Sequence, residues 1–191
     1  MSEPFVIQVA LLCAEAFEQV QAGYFLGGSL ASSLQGEPRA TNDIDFVVDL
    51  QPAQVEPLRQ ALGSDFEVDA EALRDAVMRR ASWNIFHLPT VTKVDVFLLR
   101  PGAFDRSEFS RRRRVVLTSD GRGLYIKSPE DSVLRKLLWF REGGEVSSTQ
   151  WRDVVQILRL AAGTLDSAYL REWAGQLGTQ DLLARAMAEA G

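Results

Sequence analysis

Two glycines and a pair of aspartates carry the most chemical information in this chain. The short apolar run Tyr24-Phe25-Leu26 leads into Gly27-Gly28-Ser29, and 14 residues after Ser29 comes Asp43-Ile44-Asp45, backed by the apolar Phe46-Val47-Val48. Glycines at the mouth of a helix let a phosphate approach bare backbone N–H groups, and a helix N-terminus favours negative charge. Carboxylates at i and i+2 of a strand share one face, roughly 6–7 Å apart. Like charges that close repel unless a cation sits between them. A phosphate cradle followed by a paired-carboxylate cation site points to metal-assisted chemistry on a nucleoside triphosphate. Taken singly, each piece has a plainer reading: Gly27-Gly28 as a strand-to-helix turn, Asp43 as a loop-end residue bonding its own backbone. Their order, their spacing and the apolar run behind the acids favour the chemical one.

These residues resemble the signature of the nucleotidyltransferase superfamily with the polymerase-β-like fold, in which Gly-Gly/Ser is followed by Asp-x-Asp. That family takes a third carboxylate from a later strand, and Lys93-Val94-Asp95-Val96-Phe97 supplies Asp95 there. The Arg39-x-Thr41-x-Asp43 lead-in, with Lys136-Leu137 and Arg152-Asp153 downstream, is most similar to the AbiEii-like branch, many of whose members are toxins of toxin–antitoxin pairs. The resemblance runs over roughly residues 22–160. It implies an α+β fold, a nucleotidyltransferase-type mixed sheet flanked by helices, followed by a helical C-terminal region.

The resemblance also implies roles. Asp43, Asp45 and Asp95 are oxygen ligands suited to Mg²⁺ or Mn²⁺, and Asp95 would assist deprotonation of the attacking hydroxyl. Gly27, Gly28 and Ser29 would hold the β- and γ-phosphates of an NTP such as ATP, with Arg39, Thr41 and Asp153 as further nucleotide contacts. Lys136 would neutralise the leaving pyrophosphate. The implied reaction moves a nucleoside monophosphate to an acceptor, either RNA (a tRNA end), a protein or a small cationic molecule of the aminoglycoside kind. An antitoxin partner accompanies the first reading. A catalytically silent nucleotide-binding or interaction module of the same fold is a third.

The elements that must position these groups follow from periodicity and punctuation. Residues 7–21 read as a helix with Leu12, Ala16 and Val20 on one face, and 24–35 as the strand–glycine–helix unit. Asp43–Leu50 is a strand whose Phe46 and Val48 face away from Asp45. A helix over 53–62 is stopped by Gly63, Phe66–Asp69 is a short strand and Ala70–Arg80 a helix. Strands over Trp83–Leu88 and Val91–Leu99 bring Asp95 into the sheet. Val115–Leu117 and Leu124–Ile126 flank the turn signal Ser119-Asp120-Gly121. Ser128-Pro129-Glu130-Asp131 opens a helix, and no strand pattern follows. That change separates an α/β catalytic core, residues 1–127, from a helical region, 128–191, packed on it.

On the helix near Thr149, Trp151, Val154, Val155, Leu158 and Ala162 form the apolar stripe. Lys136, Arg152 and Asp153 lie off the stripes of their helices, which by pattern alone leaves them on a solvated face; only the resemblance raises them. Trp83, Trp139, Trp151 and Trp173 read as core. His87, the sole histidine, reads as a structural strand residue. Arg111–Arg114, the one dense basic run, fits a solvated sheet edge or an RNA contact.

Composition bounds the rest. At 191 residues, 46% hydrophobic and 25% charged, the chain has the make-up of an ordinary globular protein, and its net charge of −5 argues against a general nucleic-acid-coating role. One cysteine, Cys13, excludes an intrachain disulfide and fits a reducing, cytoplasmic setting as core filler. With a single cysteine and a single histidine a structural zinc site is ruled out. No signal peptide or membrane span is expected.

Overall fold

The computed structural model describes residues 5–36 and 41–191. The chain divides into two units, one of residues up to Leu30 with Thr41–Ile126, the other of residues 31–40 with Lys127–Gly191.

Among the described residues the first unit is built on a seven-stranded mixed sheet. In chain order its strands are β1 (Gly23–Leu26), β2 (Ile44–Asp49), β3 (Phe66–Glu67), β4 (Ser82–His87), β5 (Thr92–Leu98), β6 (Arg113–Val116) and β7 (Gly123–Ile126). They lie side by side as β3-β4-β5-β2-β1-β7-β6. The β2–β5 and β1–β7 pairs are parallel, and the remaining neighbours are antiparallel. Helices α1 (Phe5–Gln19), α3 (Val55–Leu62), α4 (Ala70–Arg79) and α5 (Ala103–Ser110) belong to this unit, and α2 (Gly28–Gln35) begins in it.

Alternation on the strands decides which face is core. Ile44, Phe46 and Val48 of β2 and Val94, Val96 and Leu98 of β5 are buried. Tyr24 and Leu26 of β1 pair with Val48 and Phe46 and join that face. Phe17, Tyr24 and Phe46 interlock with ring centroids 5.3–5.8 Å apart. Burying each such side chain is worth about 1.5–3 kcal/mol, and the Tyr24 hydroxyl keeps a partner by donating to Glu18 Oε1 at 2.7 Å. Cys13 is buried core, as expected. The α1 face differs from its expected form. Ala16 is buried as expected, together with Val9, Ala10, Leu11, Cys13, Ala14 and Phe17, whereas Leu12 is exposed and the helix ends before Val20.

Helix α5 was not legible beforehand. Eight residues long, it follows Pro101-Gly102 and buries only Phe104 and Glu108, one helical turn apart, too few to announce a stripe. Its Phe109 ring lies against Gly23, leaving no room there for a Cβ, and near Phe25 at 6.1 Å. Strand β3 is shorter than expected, and β5 starts at Thr92 because Val91 adopts a left-handed φ of 52°.

The second unit is helical: α6 (Pro129–Glu142), α7 (Ser148–Leu160), α8 (Ser167–Gln176) and α9 (Gln180–Ala190), with the end of α2. Ser128 caps α6 by accepting from the Asp131 N–H at 3.1 Å, with Pro129 in the first turn. Asp131 is fully buried and accepts from Ser128 Oγ at 2.5 Å and from the Tyr169 hydroxyl at 2.6 Å, tying α6 to α8. The α7 stripe holds for Val154, Val155 and Leu158, with Ile157 added, but Ala162 lies beyond the helix and is exposed. Only Trp83 of the four tryptophans is buried; Trp139 is 41% exposed, with the Lys127 ammonium 5.6 Å over its ring. Among the described residues no helix is long and apolar enough to cross a membrane.

Candidate active site

The strand–glycine–helix unit forms at its expected place, and its glycines are tied to the first acidic strand. Where β1 ends, the Gly27 N–H donates to the Asp45 carbonyl at 2.7 Å. Gly28 opens α2 with φ of +58°, and a Cβ on it would overlap the Asp45 carboxylate. Both facts demand glycine: the backbone is left-handed, and the space a side chain needs belongs to Asp45. Ser29 follows in the first turn of α2, half-buried.

Asp45 and Asp95 are register partners on the parallel strands β2 and β5. Neighbouring strands lie about 4.8 Å apart, so the two carboxylates project side by side from one face. Burial of Ile44, Phe46, Val94 and Val96 on the opposite face fixes that orientation, since a slip of one residue would bury both acids. On the other flank of Asp95, strand β4 places Asn84 directly opposite. With its amide oriented to satisfy its neighbours, Asn84 donates to Asp95 Oδ1 at 2.5 Å. The second oxygen, Asp95 Oδ2, takes the Lys93 ammonium at 2.9 Å.

Neither Asn84 nor Lys93 was picked out from the sequence. Lys93, two residues before Asp95 on the same strand face, had a period-2 signal that was available. Asn84 meets Asp95 only through the β4–β5 register, which no local pattern reveals. The Lys93 ammonium is held above the usual lysine range, first by its hydrogen bond and charge contact with Asp95 and then by the charges of Asp43 and Asp45.

Asp43 itself stands one residue before β2 and is exposed. Its backbone N–H donates to Thr41 Oγ1 at 3.2 Å, so Thr41 shapes the turn that presents Asp43. The expected trio is thus two acids in register with a third at the strand mouth. Among the described residues no group of three or more His, Cys, Asp or Glu is close enough to hold a metal ion. Asp45 and Asp95 nevertheless put two carboxylates side by side, the oxygen-donor chemistry that a hard divalent cation takes, with the Lys93 ammonium on one of them. Arg39 lies outside the described residues.

Lys136 and Asp153 correct the solvated-face reading. They are 4% and 8% exposed and pair with each other across α6 and α7 at 2.9 Å, with Gln150 Oε1 at 3.1 Å from the same ammonium. Arg152 is exposed, as the pattern suggested. His87 is structural: buried, 2.7 Å from Thr90 Oγ1 through Nδ1, with its ring 4.8 Å from that of Phe66. The arginine run does not act as one patch. Arg112 lies over the Phe109 ring at 4.2 Å and donates to the Phe109 carbonyl, while Arg113 and Arg114 are exposed on the edge strand β6.

No protein-family model matches the chain, and no curated protein matches it in sequence. Solved structures do resemble it. An antigenic nucleotidyltransferase-like protein from Paracoccidioides brasiliensis is 22% identical, covering 96% of this chain and 92% of its own, with a TM-score of 0.57. The antibiotic-resistance factor ANT(2'')-Ia is 13% identical over 98% of both chains, with a TM-score of 0.54. The lincosamide antibiotic adenylyltransferase LnuA is 15% identical over 83% of this chain and 98% of its own, with a TM-score of 0.52. The chain has the nucleotidyltransferase fold.

Proposed function

We propose that this chain is a metal-dependent nucleotidyltransferase that moves a nucleoside monophosphate from an NTP to an acceptor hydroxyl and releases pyrophosphate. The observation that carries the reading is the in-register pair Asp45 and Asp95 with Gly28 packed against Asp45. Asp43, Asp45 and Asp95 would hold Mg²⁺ or Mn²⁺, which when bound polarises the α-phosphate and lowers the pKa of the attacking hydroxyl. The chain's own groups supply the remainder. Backbone N–H groups of Gly28 and Ser29 hold the β- and γ-phosphates at the start of α2. Asp95, steadied by Asn84, accepts the proton as the acceptor oxygen bonds to the α-phosphorus and the bond to the β-phosphate oxygen breaks. Lys136 and Asp153 have a structural part in this account, because each already holds the other's charge inside the second unit.

The acceptor has two readings. The AbiEii-like resemblance, through Arg39, Thr41, Lys136-Leu137 and Arg152-Asp153, supports an RNA or protein acceptor and a restraining antitoxin. The net charge of −5 supports a small cationic acceptor, and the likeness in fold to an antibiotic-resistance factor and to a lincosamide antibiotic adenylyltransferase supports a small-molecule one. The test is transfer of α-³²P-labelled NTP with Mg²⁺, offered tRNA in one arm and an aminoglycoside in the other. The reading expects label on one acceptor, with pyrophosphate release that Asp45→Asn abolishes. Full transfer by Asp45→Asn would remove the proposed site.

A further inference from the structure

Lysine is scarce in this chain: of 21 basic residues only Lys93, Lys127 and Lys136 are lysines, the others being arginine. Lys127 and Lys136 are each 4% exposed. Lys93 alone is an exposed lysine, and it stands among the carboxylates, with its side chain 49% exposed and its ammonium 2.9 Å from Asp95 Oδ2. Surface ion pairs elsewhere use arginine, as in Arg59–Glu56, Arg79–Asp75, Arg122–Glu15 and Arg141–Asp181.

The choice has a physical consequence. Guanidinium grips a carboxylate with a planar fork of two hydrogen bonds, whereas ammonium is a compact point charge on a flexible stem. An arginine here would be a fixed lid on Asp95; a lysine neutralises the row and can leave. Asn84 meanwhile holds Asp95 Oδ1 from the other strand, so the carboxylate keeps its orientation when the ammonium departs.

We propose that Lys93 is a built-in, displaceable counter-ion of the Asp43–Asp45–Asp95 row, occupying the position of the divalent cation in the free protein and competing with it for Asp95. Lys93 has this role only if the row is a cation site, the reading proposed above. Its work is twofold. It relieves the repulsion that would otherwise splay Asp45 and Asp95 when no metal is bound. It also sets a threshold that a divalent cation must exceed to enter.

The test is Mn²⁺ binding to the full-length protein without nucleotide, read by the electron paramagnetic resonance signal of free Mn²⁺ at low ionic strength. Native protein is compared with Lys93→Gln and Lys93→Arg, each checked for an unchanged circular dichroism spectrum; Lys93→Met serves as a second neutral variant. Loss of an exposed ion pair predicts about threefold to tenfold tighter Mn²⁺ binding in Lys93→Gln, shrinking as salt is added. Lys93→Arg binds more weakly than native. Binding by Lys93→Gln with none by native protein supports the proposal equally. If native protein binds Mn²⁺ and both neutral variants bind no more tightly, Lys93 is not a competitor, and the metal site stands without it. If neither native nor neutral variants bind, the counter-ion role and the metal reading fall together.

Discussion

Two Lys–Asp pairs of the same length sit in opposite settings. Lys93–Asp95 and Lys136–Asp153 both measure 2.9 Å, but the side chains are 49% and 22% exposed in the first and 5% and 9% in the second. The first stands on an open sheet face beside another carboxylate, where water can replace either partner. The second is enclosed between α6 and α7, where water has little access to either charge. Identical chemistry thus yields an exchangeable site in one unit and a fixed staple in the other. Burial, not distance, decides which pair is available for function.

The largest expected effect comes from breaking the staple. Lys136→Ala should cost about 3–5 kcal/mol in urea unfolding, because a buried ion pair loses one of its two members. Lys136→Met combined with Asp153→Leu should recover most of that loss. Fluorescence of Trp139, Trp151 and Trp173, all in the second unit, reports the transition there. A cost below about 1 kcal/mol for Lys136→Ala would mean that the pair is no staple and that the contrast fails.

Next is Gly28→Ala, which strains a φ of +58° and pushes a methyl into the Asp45 carboxylate. It should cost about 1–3 kcal/mol and also weaken Mn²⁺ binding, whereas Lys136→Met/Asp153→Leu should leave Mn²⁺ binding alone. Native-like Mn²⁺ binding by Gly28→Ala would show that the close approach of Gly28 to Asp45 is not needed.

A smaller effect separates core from site by pH. Burial pushes the Cys13 thiol well up. The unfolded chain ionises this thiol from about pH 8.5 while the folded chain keeps the proton, so the stability is present below that pH and is lost as pH rises. Between about pH 8 and 9.5 the native protein should lose about 1 kcal/mol that Cys13→Ala does not lose. Lys93, also raised, stays charged throughout that window, so its pair contributes nothing to the slope. An equal loss in Cys13→Ala would place the titrating group elsewhere.

The smallest expected effect is that of Lys93→Gln on stability, within about 1 kcal/mol of native in urea unfolding, as for exposed ion pairs generally. A cost near that of Lys136→Ala would make Lys93 a staple too.

What the sequence disclosed and what it withheld divide along the same line as the two pairs. Gly27-Gly28 and Asp43-Ile44-Asp45 were legible because each announces itself locally, as glycines at a strand-to-helix turn and acids alternating with apolar residues on a strand; Asp95 was singled out through the family resemblance. The individual strands and the helical run after Ser128 were legible for the same local reason, whereas the mixed sheet followed from the family resemblance. The burial of Lys136 and Asp153 was not, because α6 and α7 bring together residues 17 positions apart, and each looks solvated on its own helix. Asn84 was hidden by strand register, and α5 by its brevity. Trp139 misled because a large aromatic predicts core, yet it remains 41% exposed.

The central claim is that Asp45 and Asp95, beside the Gly27-Gly28 turn, form a metal–nucleotide site. Calorimetric titration of each ribonucleoside triphosphate with and without Mg²⁺, into native protein and folded Asp45→Asn, tests it most directly. The account predicts Mg²⁺-dependent binding by the native chain, weakened at least about a hundredfold in Asp45→Asn. Equal Mg²⁺-dependent binding by the two would contradict it.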